Sequence, residues 1–100
     1  MAGESWWVLD PAPGVLVWAR LVEREEGGAE VFDSTGLTRR FPDETSARMS
    51  LLDQAYRAYD GLDEEDALEM GFSLATVAPP HADTELELLR AMTQRLAKAS

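Results

Sequence analysis

The stretch Val15-Leu16-Val17-Trp18-Ala19-Arg20-Leu21-Val22-Glu23 decides the fold. It is rich in β-branched and aromatic residues, the composition of a strand. Side chains alternate across a strand. Val15, Val17, Ala19 and Leu21 therefore share one face, and Leu16, Trp18 and Val22 share the other with Arg20. A sheet wet on one side would alternate apolar with polar residues. Here both faces need cover. One helix can cover one face, and the other falls to a C-terminal helix folding back or to a second copy of the chain. Left open, a face holding tryptophans would itself be an interaction site. On that ground Trp6, Trp7 and Trp18 are candidate protein-interaction residues, with ordinary core packing as the alternative.

Upstream, Ser5 to Leu9 reads as a first strand, on which Trp6 and Trp7 point opposite ways, and Asp10-Pro11-Ala12-Pro13-Gly14 reads as the turn ending it. Downstream, Glu25-Glu26-Gly27-Gly28 is a hairpin turn and Ala29 to Phe32 the returning strand. Asp33-Ser34-Thr35-Gly36 has Asp first and Gly fourth, the chemistry of a type I turn. Leu37 to Phe41 closes an antiparallel meander of three or four strands.

After Pro42 the period changes. Ala47, Leu51, Leu52, Ala55, Tyr56, Tyr59 and Leu62 recur at three and four, which predicts a main helix from the N-cap Asp43 to about Asp60, with Gly61 as its stop. A short acidic helix is expected over Asp63 to Met70, capped by Asp63 with Asp66 as its capping-box partner and ended by Gly71. Phe72 to Val77 reads as strand or extended chain, and Ala78-Pro79-Pro80-His81-Ala82 as a hinge. The last helix is expected over about Thr84 to Lys98, with a capping box from Thr84 to Glu87 and Arg90, Arg95 and Lys98 offsetting the dipole. The fold class is α+β, in one domain: a meander over about 5–41, then helices over about 43–98.

One hundred residues at 45% hydrophobic and 28% charged suit a single globular core. Nineteen acids against nine bases leave a net charge of −10, a field that repels phosphate backbones and anionic lipid and favours basic partners. With no cysteine, disulfides, thiolate zinc sites and cysteine nucleophiles are excluded. The start MAGESWWVLDPAPG lacks the basic-then-apolar pattern of a secretory signal, and no run approaches the roughly 20 apolar residues of a membrane span. The expected location is cytoplasmic. Eight arginines to one lysine suggest a GC-rich, bacterial genome.

Motifs for chemistry are sparse. His81 is the single histidine and stands among prolines, where a solvated linker residue is the ordinary outcome. Asp60, Asp63, Glu64, Glu65, Asp66 and Glu69 form an acidic run, but consecutive helical residues radiate apart, and the spacing departs from a calcium-binding loop. Asp63, Glu64 and Asp66 are instead candidates for docking a basic protein partner. Gly27-Gly28 lacks the flanking pattern of a phosphate loop. No catalytic, cofactor or metal residue is assigned.

Arg39 and Arg40 are an adjacent basic pair on the strand before the main helix, with Phe41 just ahead of it. That order over about residues 15 to 60 resembles small arm-type DNA-binding domains of the integrase sort. The resemblance implies a nucleic-acid contact at Arg39 and Arg40, yet such domains set basic strands against phosphate and this stretch is itself net acidic. The functional expectation is a small, non-enzymatic, self-associating interaction or regulatory domain, as a dimer or with another protein. A nucleic-acid-associated domain and a carboxylate-based hydrolase are the alternatives.

Overall fold

The computed structural model describes residues 3–96. Strands β1 (Glu4–Ala12), β2 (Val15–Glu23), β3 (Ala29–Asp33) and β4 (Thr38–Phe41) form an antiparallel meander, followed by α1 (Glu44–Asp53), β5 (Arg57–Ala58), a 3-10 turn (Tyr59–Gly61), α2 (Glu64–Glu69), α3 (Glu85–Ala91) and β6 (Thr93–Arg95). This is the α+β fold, a meander and then helices. The strand order is β4-β3-β2-β1-β5, with β6 added to β2.

β2 is the spine. β1 pairs with it from Glu4↔Val22 to Ala12↔Val15, with an irregularity between Leu9 and Ala12. The strand therefore runs on past Leu9 into the segment expected to turn, and Pro11, which has no N–H to give the ladder, sits in the irregular part. On its other side β2 meets β3 only from Ala19 to Glu23. The remaining half, Val15 to Val17, is taken by β6. Trp18 N–H donates to Met92 O at 2.8 Å, and Leu96 N–H to Gly14 O at 2.7 Å. Pairing this otherwise open backbone edge ends the last helix at Ala91, short of the expected Lys98, which lies outside the described residues, and places Arg95 on a strand.

The main helix is also shorter than its periodicity suggests. It stops at Asp53, because Ala55 adopts a left-handed φ of 71°. Ala55 N–H bonds to Leu52 O, and Tyr56 N–H returns to Leu51 O, both at 3.0 Å. That is a Schellman closure with alanine in the usual glycine position. Tyr56 and Leu51 then pack in one core cluster, so the apolar repeat continues through a turn. Residues 73–76 also turn, with Thr76 N–H on Ser73 O, where extended chain was expected.

Both faces of β2 are covered by this chain, the second over Leu16 and Trp18. On one side Trp7, Ala19, Leu21 and Val31 pack under Ala47 and Leu51 of α1 and under Tyr56. On the other, Val8, Leu16, Trp18 and Phe32 pack under Ala67, Met70 and Phe72 at α2 and Leu88 and Met92 at α3. Leu16 and Trp18 have no exposed surface. The C-terminal segment, the first of the two expected covers, closes this face. No helix among the described residues is long and apolar enough to cross a membrane.

Candidate interaction site

Burial separates the three tryptophans. Trp7 and Trp18 are core residues, so neither can anchor a partner as the sequence alone allowed; the chain's own helices fill the space over them. Trp18 stacks edge-on with Trp6 at 6.3 Å and tilts against Tyr59 at 5.3 Å. Trp7 donates from Nε1 to Ser5 Oγ at 3.1 Å and lies under the Arg48 guanidinium at 5.6 Å. Trp6, half-buried, is the remaining tryptophan with surface to offer.

Arg39 and Arg40 are adjacent in sequence and opposed in space, because successive strand residues face opposite ways. Arg39 turns to the α1 side, where its Nη2 reaches Asp33 Oδ2 and Gln54 Oε1, both at 3.3 Å. Asp33 is buried at 6% exposure and also accepts from Thr35 N–H, so it ties the turn to the strand. Burial, with the Asp33 charge nearby, pushes the Tyr56 phenol above its ordinary range. Arg40 turns to the other face and pairs with Glu30 at 3.2 Å. The two do not form one cationic patch for a phosphate backbone.

The acidic segment divides between structure and surface. Asp63 and Asp66 close a reciprocal capping box on α2. Asp66 accepts from the Asp63 N–H and pairs with Arg57 at 3.2 Å, and these contacts, the backbone bond first, hold its carboxyl below the usual aspartate range. Glu64, Glu65 and Glu69 point outward, beside Leu68, which is 63% exposed. Leu68 also stands at the rim of a hollow of about 670 Å³ between α2, the turn after Gly71, and β6. Of the three acidic candidates, Glu64 alone is uncommitted to the helix start. Leu68 was missed because its place in an acidic run gave no apolar period.

A second surface was not legible in the sequence. Beyond the reach of α3, the face that carries Trp18 continues along β2, β3 and β4 as an open cleft of about 540 Å³. Its floor is two cross-strand rows, Arg20–Phe32–Thr38 and Val22–Glu30–Arg40. Glu30 takes Arg24 on one oxygen at 2.7 Å and Arg40 on the other at 3.2 Å. The Arg20 guanidinium lies 5.7 Å over the Phe32 ring, and its Nε is buried without an acceptor among the described residues. Glu85, in the first turn of α3, stands at the rim.

Carboxylates meet elsewhere at Glu23 and Glu44. A hydrogen bond to Glu44 and the Glu44 charge raise the Glu23 carboxyl above its ordinary range, while Glu44, bonded to Glu23 and to Arg48, is lowered. The dimple beside them holds about 90 Å³, well under the roughly 300 Å³ of a small-molecule pocket. Among the described residues no group of three or more His, Cys, Asp or Glu side chains is placed to hold a metal, and His81 is exposed on its loop. Compared with models of known families, with curated proteins and with solved structures, the chain matches none.

Proposed function

We propose that this chain is a small, non-enzymatic interaction domain that docks a basic protein segment on the outer face of α2. The supporting observation is Leu68, exposed at the rim of a hollow, with Glu64 and Glu65 one helical turn before it and both exposed. An exposed apolar side chain beside carboxylates offers a partner area to bury and a charge to match. The net charge of −10 would speed the approach of a cationic partner. A cysteine-free chain suits a cytoplasmic setting for this role.

The test is a titration of the ¹⁵N-labelled chain with a Lys- and Leu-containing peptide. The expected result is saturable shifts centred on residues 64–69, weakened by added salt and by Leu68→Ser. Shifts scattered over every acidic surface, indifferent to Leu68→Ser, would sink the reading. Self-association is a second reading, favoured by Met49 and Leu52, neighbours on the outer face of α1 at 60% and 59% exposure. It predicts a scattering mass twice 11.1 kDa that Leu52→Glu returns to one chain, and a single-chain mass at all concentrations would dispose of it.

A further inference from the structure

The open β2–β3–β4 face carries an inference independent of the α2 surface. We infer that the cleft between Arg20 and Arg40 binds a carboxylate side chain of a partner protein's peptide segment, held by the Arg20 guanidinium with that of Arg40 on the other side of β3. Arg20 reaches over from β2 and lies on Phe32, while Arg40 reaches back from β4, and Arg24 from the end of β2, to Glu30. Phe32 and Glu30 are two residues apart on one strand, about 7 Å. A carboxylate seated above them meets donors from both sides.

Charge selects the occupant. Arg24, Arg40 and Glu30 pair with one another, and Arg24 also with Glu26 at 3.4 Å, on a molecule whose total is −10. Both Glu30 oxygens are already engaged by Arg24 and Arg40, and Arg20 has no carboxylate within salt-bridge reach among the described residues. Its ring-backed guanidinium is held in place in advance, so less freedom is lost when an acceptor arrives. Its single unpaired charge balances one carboxylate. A phosphate dianion would overfill it beside Glu30 and Glu85, and a nucleic-acid backbone would extend into the acidic surround. A second copy would bring another −10. Val22 and Phe32 add an apolar wall that suits a neutral peptide around the acid.

The probe is a blocked peptide amide, acetyl-Ala-Asp-Val-Ala-amide, with its Asn counterpart as control, added to the ¹⁵N-labelled chain. The expected result is a saturable shift of the Arg20 Nε–H signal and of the Glu30 and Thr38 amides, with the Asn peptide at least about tenfold weaker. Arg40→Gln, at an exposed side chain, leaves the fold intact and weakens binding about fivefold or more; Arg20→Gln weakens it further. Four results would overturn the inference: no saturable shift at millimolar peptide, equal binding of the Asn peptide, tighter binding of inorganic phosphate, or the same shifts appearing with protein concentration alone. None of them bears on Leu68, so the α2 reading stands or falls on its own titration.

Discussion

At the scale of single residues, Ala55 carries a local strain. A left-handed backbone places a Cβ too near the following carbonyl, and glycine avoids this. Ala55→Gly is expected to stabilise the chain by about 0.5–1 kcal/mol, read as a higher midpoint in urea at unchanged slope. The two buried tryptophans should respond differently to truncation. Trp7→Phe removes the hydrogen bond to Ser5 and the stronger ring under Arg48, whereas Trp18→Phe removes an indole N–H that has no acceptor among the described residues. Trp18→Phe should therefore be milder than Trp7→Phe by about 1 kcal/mol. Trp18→Ala, which empties the site, should cost about 3–5 kcal/mol. Equal losses for the two Phe variants would mean that the Trp18 N–H is satisfied.

At the scale of elements, caps were legible and stops were not. Asp43, Asp63 and Thr84 cap α1, α2 and α3 as their positions indicated, each side chain accepting a backbone N–H. A cap is a local bond between neighbours three apart, so sequence shows it directly. The stop of α1 uses alanine in place of glycine, and the apolar repeat through Tyr56 and Tyr59 reads the same whether the chain spirals or turns back. The stop of α3 is decided far away, by the half of β2 that the short β3 leaves unpaired. Gln94 sits opposite Leu16 in that added pairing, so Gln94→Pro, which deletes an N–H, should lower stability by about 1–3 kcal/mol. A helix through Lys98 would instead place residue 94 past its second turn and disturb every probe of helicity.

The α1 cap also has a pH signature. Hydrogen bonds from the Ser46 N–H, and after it the Ser46 side chain, hold Asp43 below its ordinary range. A carboxyl lowered on folding contributes stability above its unfolded pKa and loses it as pH falls through the folded value. The gap in thermal midpoint between the parent chain and Asp43→Ala should be full at neutral pH and shrink below about pH 4. A gap constant down to pH 2 would show that the charge plays no part.

At the scale of the whole molecule, the two-sided hydrophobicity of β2 foretold two cores, and there are two. The cover of the second face was open in the sequence because the C-terminal segment and a second copy bury apolar area equally well. The arginine cleft was hidden for a different reason. Arg20, Arg24 and Arg40 are scattered over 21 positions and converge only once strand register is set. Arg39 and Arg40 misled in the opposite sense, since adjacency in a strand separates side chains. Charge is thus sorted by folding, into an acidic surface with a leucine and a cleft lined by three arginines, on a chain whose net charge shows only the acid.

The chain closes its own sheet, with β6 and α3 sealing Leu16 and Trp18. The direct measurement is amide hydrogen exchange in a sample whose scattering mass is that of one 11.1 kDa chain. The Trp18 amide, bonded to Met92 O, should exchange among the slowest in the molecule, at the rate set by global unfolding. Exchange of that amide as fast as the Gly27 and Gly36 turns would show the face open in the single chain and would overturn the self-closed sheet.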